Sequence, residues 1–149
     1  MQKFEPQNQE FEITIRQSFK KQNLMQALGA RLVAIALGEV TIELPYREDL
    51  TQQHGYLHAG VITAVIDSAC GYAALSLMPA GMEVLSVEYK INLLSPADGE
   101  RLTAKGVVLK PGRKLYVVRG DAYSIKDGGE KHVAAFQGTM VAARKRDKI

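Results

Sequence analysis

Few side chains in this sequence are suited to chemistry in a dry site, and Asp67 is foremost among them. It lies within "GVITAVIDSACGYAALSLM", Gly60 to Met78, where it is the only charged residue. A carboxylate in so apolar a segment is costly unless it is paired, hydrogen-bonded or neutralised. Such a carboxylate can serve as a general base or a nucleophile, or structurally as a cap on a loop or a partner strand. Just upstream, His58-Ala59-Gly60 opens the same segment. A helix beginning there presents unpaired N–H groups and the positive end of its dipole, which suits a developing oxyanion. Asp67 follows Gly60 by seven residues, roughly 10 Å along a helix axis. Base and donors of one chain are therefore too far apart to act on one carbonyl. A two-fold dimer with antiparallel helices would bring Asp67 of one copy to the His58–Gly60 segment of the other.

Other reactive residue types offer less. His54 and His58 are four apart, but Gly55 interrupts any helix between them, and neither a third ligand nor an H-E-x-x-H glutamate accompanies them. No metal and no cofactor are expected. His58 suits a structural bond to the backbone, with contact to a bound carbonyl as the alternative. Cys70 is the single cysteine, which rules out an intramolecular disulfide. Its apolar helical setting raises a thiol pKa and argues against a nucleophile.

The chain that must position these residues has 149 of them, 46% hydrophobic, enough for one domain with a sizeable core. Its formal charge is +3 and the basic residues are scattered, apart from Arg144-Lys145-Arg146. That run reads as a basic, solvated C-terminal tail, so nucleic acid is not an expected partner. The opening "MQKFEPQNQE" has no apolar signal region, and Asp67 with its polar neighbours argues against a membrane span, so a cytoplasmic location is expected.

Phe11, Ile15 and Phe19, then less regularly Leu24 and Leu28, predict an N-terminal amphipathic helix over about 9–27. A core over about 28–143 follows. "ARLVAIALGEVTIELPY" reads as two strands broken near Gly38, and Pro79-Ala80-Gly81 stops the long apolar helix. In "VLSVEYKINLLS", Leu85, Val87, Tyr89, Ile91 and Leu93 alternate with Ser86, Glu88, Lys90 and Asn92, which predicts two opposite strand faces. Turns at 96–99, at Pro111-Gly112 and at Asp127-Gly128-Gly129 separate three further strands. About six antiparallel strands and one long helix make an α+β fold, most economically a curved sheet wrapped around the helix. On the helix, Gly60, Thr63, Ala64, Asp67, Gly71 and Ala74 form a stripe of mostly small residues expected to face a second backbone or a ligand.

"HGYLHAGVITAVIDSACGYAA", "VLSVEYKINLLSPADGERLTAKG" and "LKPGRKLYV" together resemble the hotdog-fold acyl-CoA thioesterases of the PaaI type, over residues 28–143. His58-Ala59-Gly60 matches the family's H-G-G opening, with alanine in place of the first glycine, and Asp67 matches the catalytic aspartate. Ser86 falls on a strand serine or threonine that in some members helps hold the attacking water. Gln52, with Gln53 beside it, stands where relatives carry a positioning asparagine. The resemblance implies an acyl-CoA substrate and a homodimer, associating further as a dimer of dimers. Arg113 and Lys114 then become candidates for the CoA phosphates, with Lys90 and His54 as weaker ones. Two rival readings stand beside hydrolysis: a hotdog hydratase or dehydratase, and a non-catalytic acyl-CoA-binding module.

Overall fold

The computed structural model describes residues 3–144, so Lys145 and Arg146 of the expected basic tail lie outside it. Helices α1 (Phe11–Lys21) and α2 (Asn23–Leu28) precede strands β1 (Arg31–Ala36) and β2 (Glu39–Pro45). The long helix α3 (Ala59–Leu75) follows, then β3 (Met82–Leu93), β4 (Arg101–Pro111), β5 (Leu115–Lys126) and β6 (Gly129–Arg144). The six strands form one antiparallel sheet in the order β1-β2-β4-β5-β6-β3, so β1 and β3 are its edges. Helix α3 lies against the inner face of this sheet and is the centre of the core. Ile62, Val65, Ile66, Ala69 and Tyr72 are buried there, with Ile42, Leu102, Val118, Phe136 and Met140 facing them from the strands.

The helix sits unusually close to the sheet because two strand glycines pair beneath it. Gly106 of β4 is in register with Gly120 of β5. A Cβ on Gly106 would stand 2.4 Å from backbone atoms of Ala69 and Cys70. Only glycine permits that approach. At the far end, Ser76 Oγ donates to the Ala73 carbonyl and accepts from the Gly38 N–H of the β1–β2 turn, fastening helix to hairpin. The β5–β6 turn has positive φ at Asp127 and Gly128, the two-residue hairpin geometry that matches strand twist.

Three sequence expectations change. The N-terminal segment is two helices, not one over 9–27, because Gln22 is extended (φ −80°, ψ 97°) and breaks it. After Ile15 and Phe19, one continuous helix would turn Gln22 and Gln26 inward. The break resets the phase and buries Met25 and Leu28 instead. The alternation of β3 is also interrupted. Register against β6 slips between Ser86 and Glu88, a bulge at Val87. Ser86 therefore turns to the helix side with Val84, and beyond the bulge Tyr89 and Ile91 share that side, while Leu85 and Val87 are exposed. Lastly, only part of the small-residue stripe stays open. Gly71 and Ala74 are buried within the chain, whereas Gly60, Thr63, Ala64 and Asp67 are not.

Candidate functional site

Asp67 points from the middle of α3 towards the bulged edge strand. Ser86 Oγ donates to its Oδ1 at 2.7 Å. Partial burial raises the carboxyl pKa, and the serine hydroxyl partly offsets this. The bulge makes the pair possible: in the unbroken alternation of the sequence, Ser86 would face away from Tyr89 and Ile91. A desolvated carboxylate with one neutral donor retains basicity, unlike a carboxylate clamped by a cation.

Two cavities meet at this residue. The first, of about 570 Å³, runs between α1, the second half of α3 and the start of β3, and is floored by buried Gly71, Tyr72 and Leu75. The second, of about 610 Å³, lies between α2, the first half of α3 and the later part of β3, touching Gly60, Thr63, Tyr89 and Ile91. No residue lining the second is fully buried, so it is the more open. Gln22, Asp67 and Ser68 belong to both.

The start of α3 is capped by His58, whose Nδ1 accepts the Gly60 N–H at 2.8 Å. Val61 and Ile62 donate to the His58 carbonyl. Of the two donors expected from sequence, Gly60 is thus engaged, and the Ala59 N–H is the one without a partner among the described residues. With Nδ1 as acceptor, a neutral His58 carries its proton on Nε2.

The remaining candidates are not gathered here. Gln52 accepts the His54 N–H through Oε1 within its own turn, and neither residue lines a cavity. Arg113 and Lys114 are exposed on the β4–β5 hairpin, outside both cavities. Lys90 Nζ donates to Asn92 Oδ1 at 2.8 Å along its own strand. Cys70 is buried and its thiol pKa is pushed far up, first by desolvation and then by the charge of Asp67. No group of three or more metal-binding side chains occurs among the described residues, and no described helix is long and apolar enough to cross a membrane.

Sequence reasoning missed the polar bridge from the N-terminal helices to α3. Gln22 Nε2 donates to Tyr72 Oη at 3.1 Å, Ser68 Oγ donates to Gln22 Oε1 at 2.9 Å, and Ser18 Oγ lies 3.4 Å from Tyr72 Oη. One signal was present. Thr14, Gln17, Ser18 and Lys21 repeat at helical spacing on the side of α1 away from Ile15 and Phe19, and all four line the first cavity.

Comparison with known proteins agrees with this architecture. The family model described as "Thioesterase superfamily" matches residues 54–131, from the turn before α3 into β6. Human acyl-coenzyme A thioesterase 13 is 33% identical over 103 residues, covering 68% of this chain and 73% of that one. A crystal structure of a thioesterase family protein from Silicibacter pomeroyi is 46% identical, covers 91% of this chain and 99% of its own, and superposes with a TM-score of 0.89. The PaaI protein of the E. coli phenylacetic acid degradation operon, at 21% identity, shares the fold with a TM-score of 0.80 over 90% of this chain and 94% of that one. The chain belongs to the thioesterase superfamily, with the α+β hotdog fold and the thioester-hydrolase character of that family.

Proposed function

We propose that this protein is an acyl-CoA thioesterase that uses Asp67 on a thioester bound across the junction of the two cavities. The observation that carries the reading is the Ser86–Asp67 hydrogen bond at the point both cavities share. Asp67 removes a proton from water as it attacks the thioester carbonyl, or attacks directly to give a mixed anhydride that water then hydrolyses. In the first route the tetrahedral oxyanion collapses, the C–S bond breaks, and the CoA sulfur takes the proton held by Asp67. The products are a carboxylic acid and free CoA. Ser86 holds Asp67 in place and can share the water.

The reading includes a homodimer. Edge strand β3 presents Leu85, Val87, Tyr89 and Leu93 at 59%, 56%, 47% and 53% exposure, a long apolar edge of the kind soluble proteins cover. Beside it, Gly60 is exposed and Thr63, Ala64 and Asp67 are only partly covered by the chain itself. A second copy laid across both elements would cover them, and would bring its Ala59 N–H to the carbonyl that Asp67 of the first copy attacks. The CoA nucleotide then meets Arg113 and Lys114 at the rim of the assembly. A hydratase would need a histidine beside the substrate carbon; none of the three histidines lines either cavity of one chain, so that reading would rest on the histidine that precedes Ala59 in the second copy. Release of free thiol from a panel of acyl-CoAs by the purified protein tests the activity. Turnover that rises and falls with the dimer on dilution is expected. Thiol release by a monomer at full rate would refute the two-copy site.

A further inference from the structure

From the lining of the first cavity we infer that the N-terminal helices select the acyl group: the cavity takes a chain carrying a hydroxyl or carbonyl far from the thioester, held by Ser18, Gln22 and Tyr72. This inference rests on the thioesterase reading above and adds the substrate class. The first cavity is the acyl side because it is the deeper, with a floor of buried Gly71, Tyr72 and Leu75, whereas no residue lining the second is fully buried. The CoA arm must leave towards solvent, over the open second cavity.

The two walls of this cavity differ in character. Met82, Val84 and Leu75 form an apolar wall that suits methylene groups. Every residue that α1 contributes is polar. A plain hydrocarbon chain would strip water from Thr14, Gln17 and Ser18 and return no hydrogen bond, an exchange that disfavours binding. The donor inventory at the end wall is incomplete in a useful way. Gln22 spends its oxygen on Ser68 and one amide hydrogen on Tyr72, which leaves the second amide hydrogen free. Tyr72 and Ser18 share one contact of 3.4 Å, so one hydroxyl proton remains to donate there. An oxygen on the acyl chain would meet these donors. Lys21 and Glu83, of opposite charge, offset each other at the rim, and the remaining charge, on Asp67, sits at the thioester end, so no charge at the far end calls for an anionic or a cationic end group. Tyr72 lies five residues beyond Asp67, about 7 Å along the helix, which a chain of about six carbons spans.

The test compares hexanoyl-CoA with 6-hydroxyhexanoyl-CoA on the full-length protein. We expect kcat/KM to favour the hydroxylated substrate by about fivefold or more, the worth of one net hydrogen bond. Tyr72→Phe and, separately, Ser18→Ala should bring the ratio towards one, with thermal melts verifying that each variant is folded. A ratio of one or less in the parent protein, or a ratio that both variants leave unchanged, overturns the inference. If neither substrate is hydrolysed, the thioesterase reading fails. Calorimetric Kd values for the same two ligands then decide the selectivity alone: tighter binding of the hydroxylated ligand, lost in Tyr72→Phe, supports it, and equal binding overturns it.

Discussion

The closeness of α3 to the sheet makes Gly106→Ala a severe perturbation at a residue that touches no substrate. An alanine Cβ would lie 2.4 Å from Ala69 C and Cys70 N and 2.6 Å from Ala69 O, where ordinary contact begins at 3.4 Å. The helix would have to retreat by about an ångström, since the clashing atoms are backbone and no rotamer relieves them. Overpacking of this kind costs about 1–3 kcal/mol. With an unfolding entropy of about 2.1 cal/mol/K per residue, a 149-residue domain that loses ~2 kcal/mol melts about 6 °C lower. Because Ala69 is two residues from Asp67, the retreat should also lengthen the Ser86–Asp67 contact and lower kcat. Thermal unfolding followed by circular dichroism checks the first effect and thiol release the second. Gly129→Ala is the control: its Cβ would meet only Lys126 O, at an ordinary 3.4 Å, and should shift melting by less than about 2 °C. If Gly106→Ala melted like the control, the close helix–sheet packing would be refuted.

Three further outcomes follow from the site. Ser86→Ala removes the donor that offsets the desolvation of Asp67, so the acid limb of the kcat/KM–pH profile should move to higher pH; a limb that stays fixed or moves down would separate Asp67 from that limb. Val87→Glu places a charge on the exposed β3 edge and should give a folded, inactive monomer by sedimentation; an active dimer would place the interface elsewhere. Arg113→Ala with Lys114→Ala should raise KM for acyl-CoA and leave hydrolysis of a thioester without the nucleotide unchanged; equal effects on both substrates would count against phosphate contact.

Much of the fold was legible because its signals are local. The Gly38 break, the Pro79 stop and the Asp127-Gly128 turn are set by backbone preference, and the structure has each of them. The family was legible through the resemblance carried by the segments that hold His58-Ala59-Gly60, Asp67 and Ser86. Most of what the sequence hid depends on partners distant along the chain, and the rest on side-chain orientation. The bulge at Val87 arises from registry with β6 about 50 residues on, and it reverses which face Ser86 occupies. The helix break at Gln22 is held by bonds to Ser68 and Tyr72, residues on another helix. The engagement of the Gly60 N–H by His58 required knowing how the histidine ring turns at the helix start. Gln52 illustrates the converse, since matching a family position did not bring its side chain to either cavity.

The central claim, that Asp67 is kept in an apolar helix for chemistry, is tested most directly by Asp67→Asn with kcat and melting temperature measured on the one variant. Burial raises the carboxyl pKa, so the folded state binds a proton more readily than the unfolded chain. Stability from this residue is full below the ordinary carboxylate range and is lost as pH rises through the raised value. At neutral pH the amide should therefore melt at or above the parent protein, with the advantage vanishing in acid. The account predicts this stability profile together with a fall in kcat of at least about 10²-fold. A variant that melts lower at neutral pH while keeping near-normal kcat per folded molecule would contradict it.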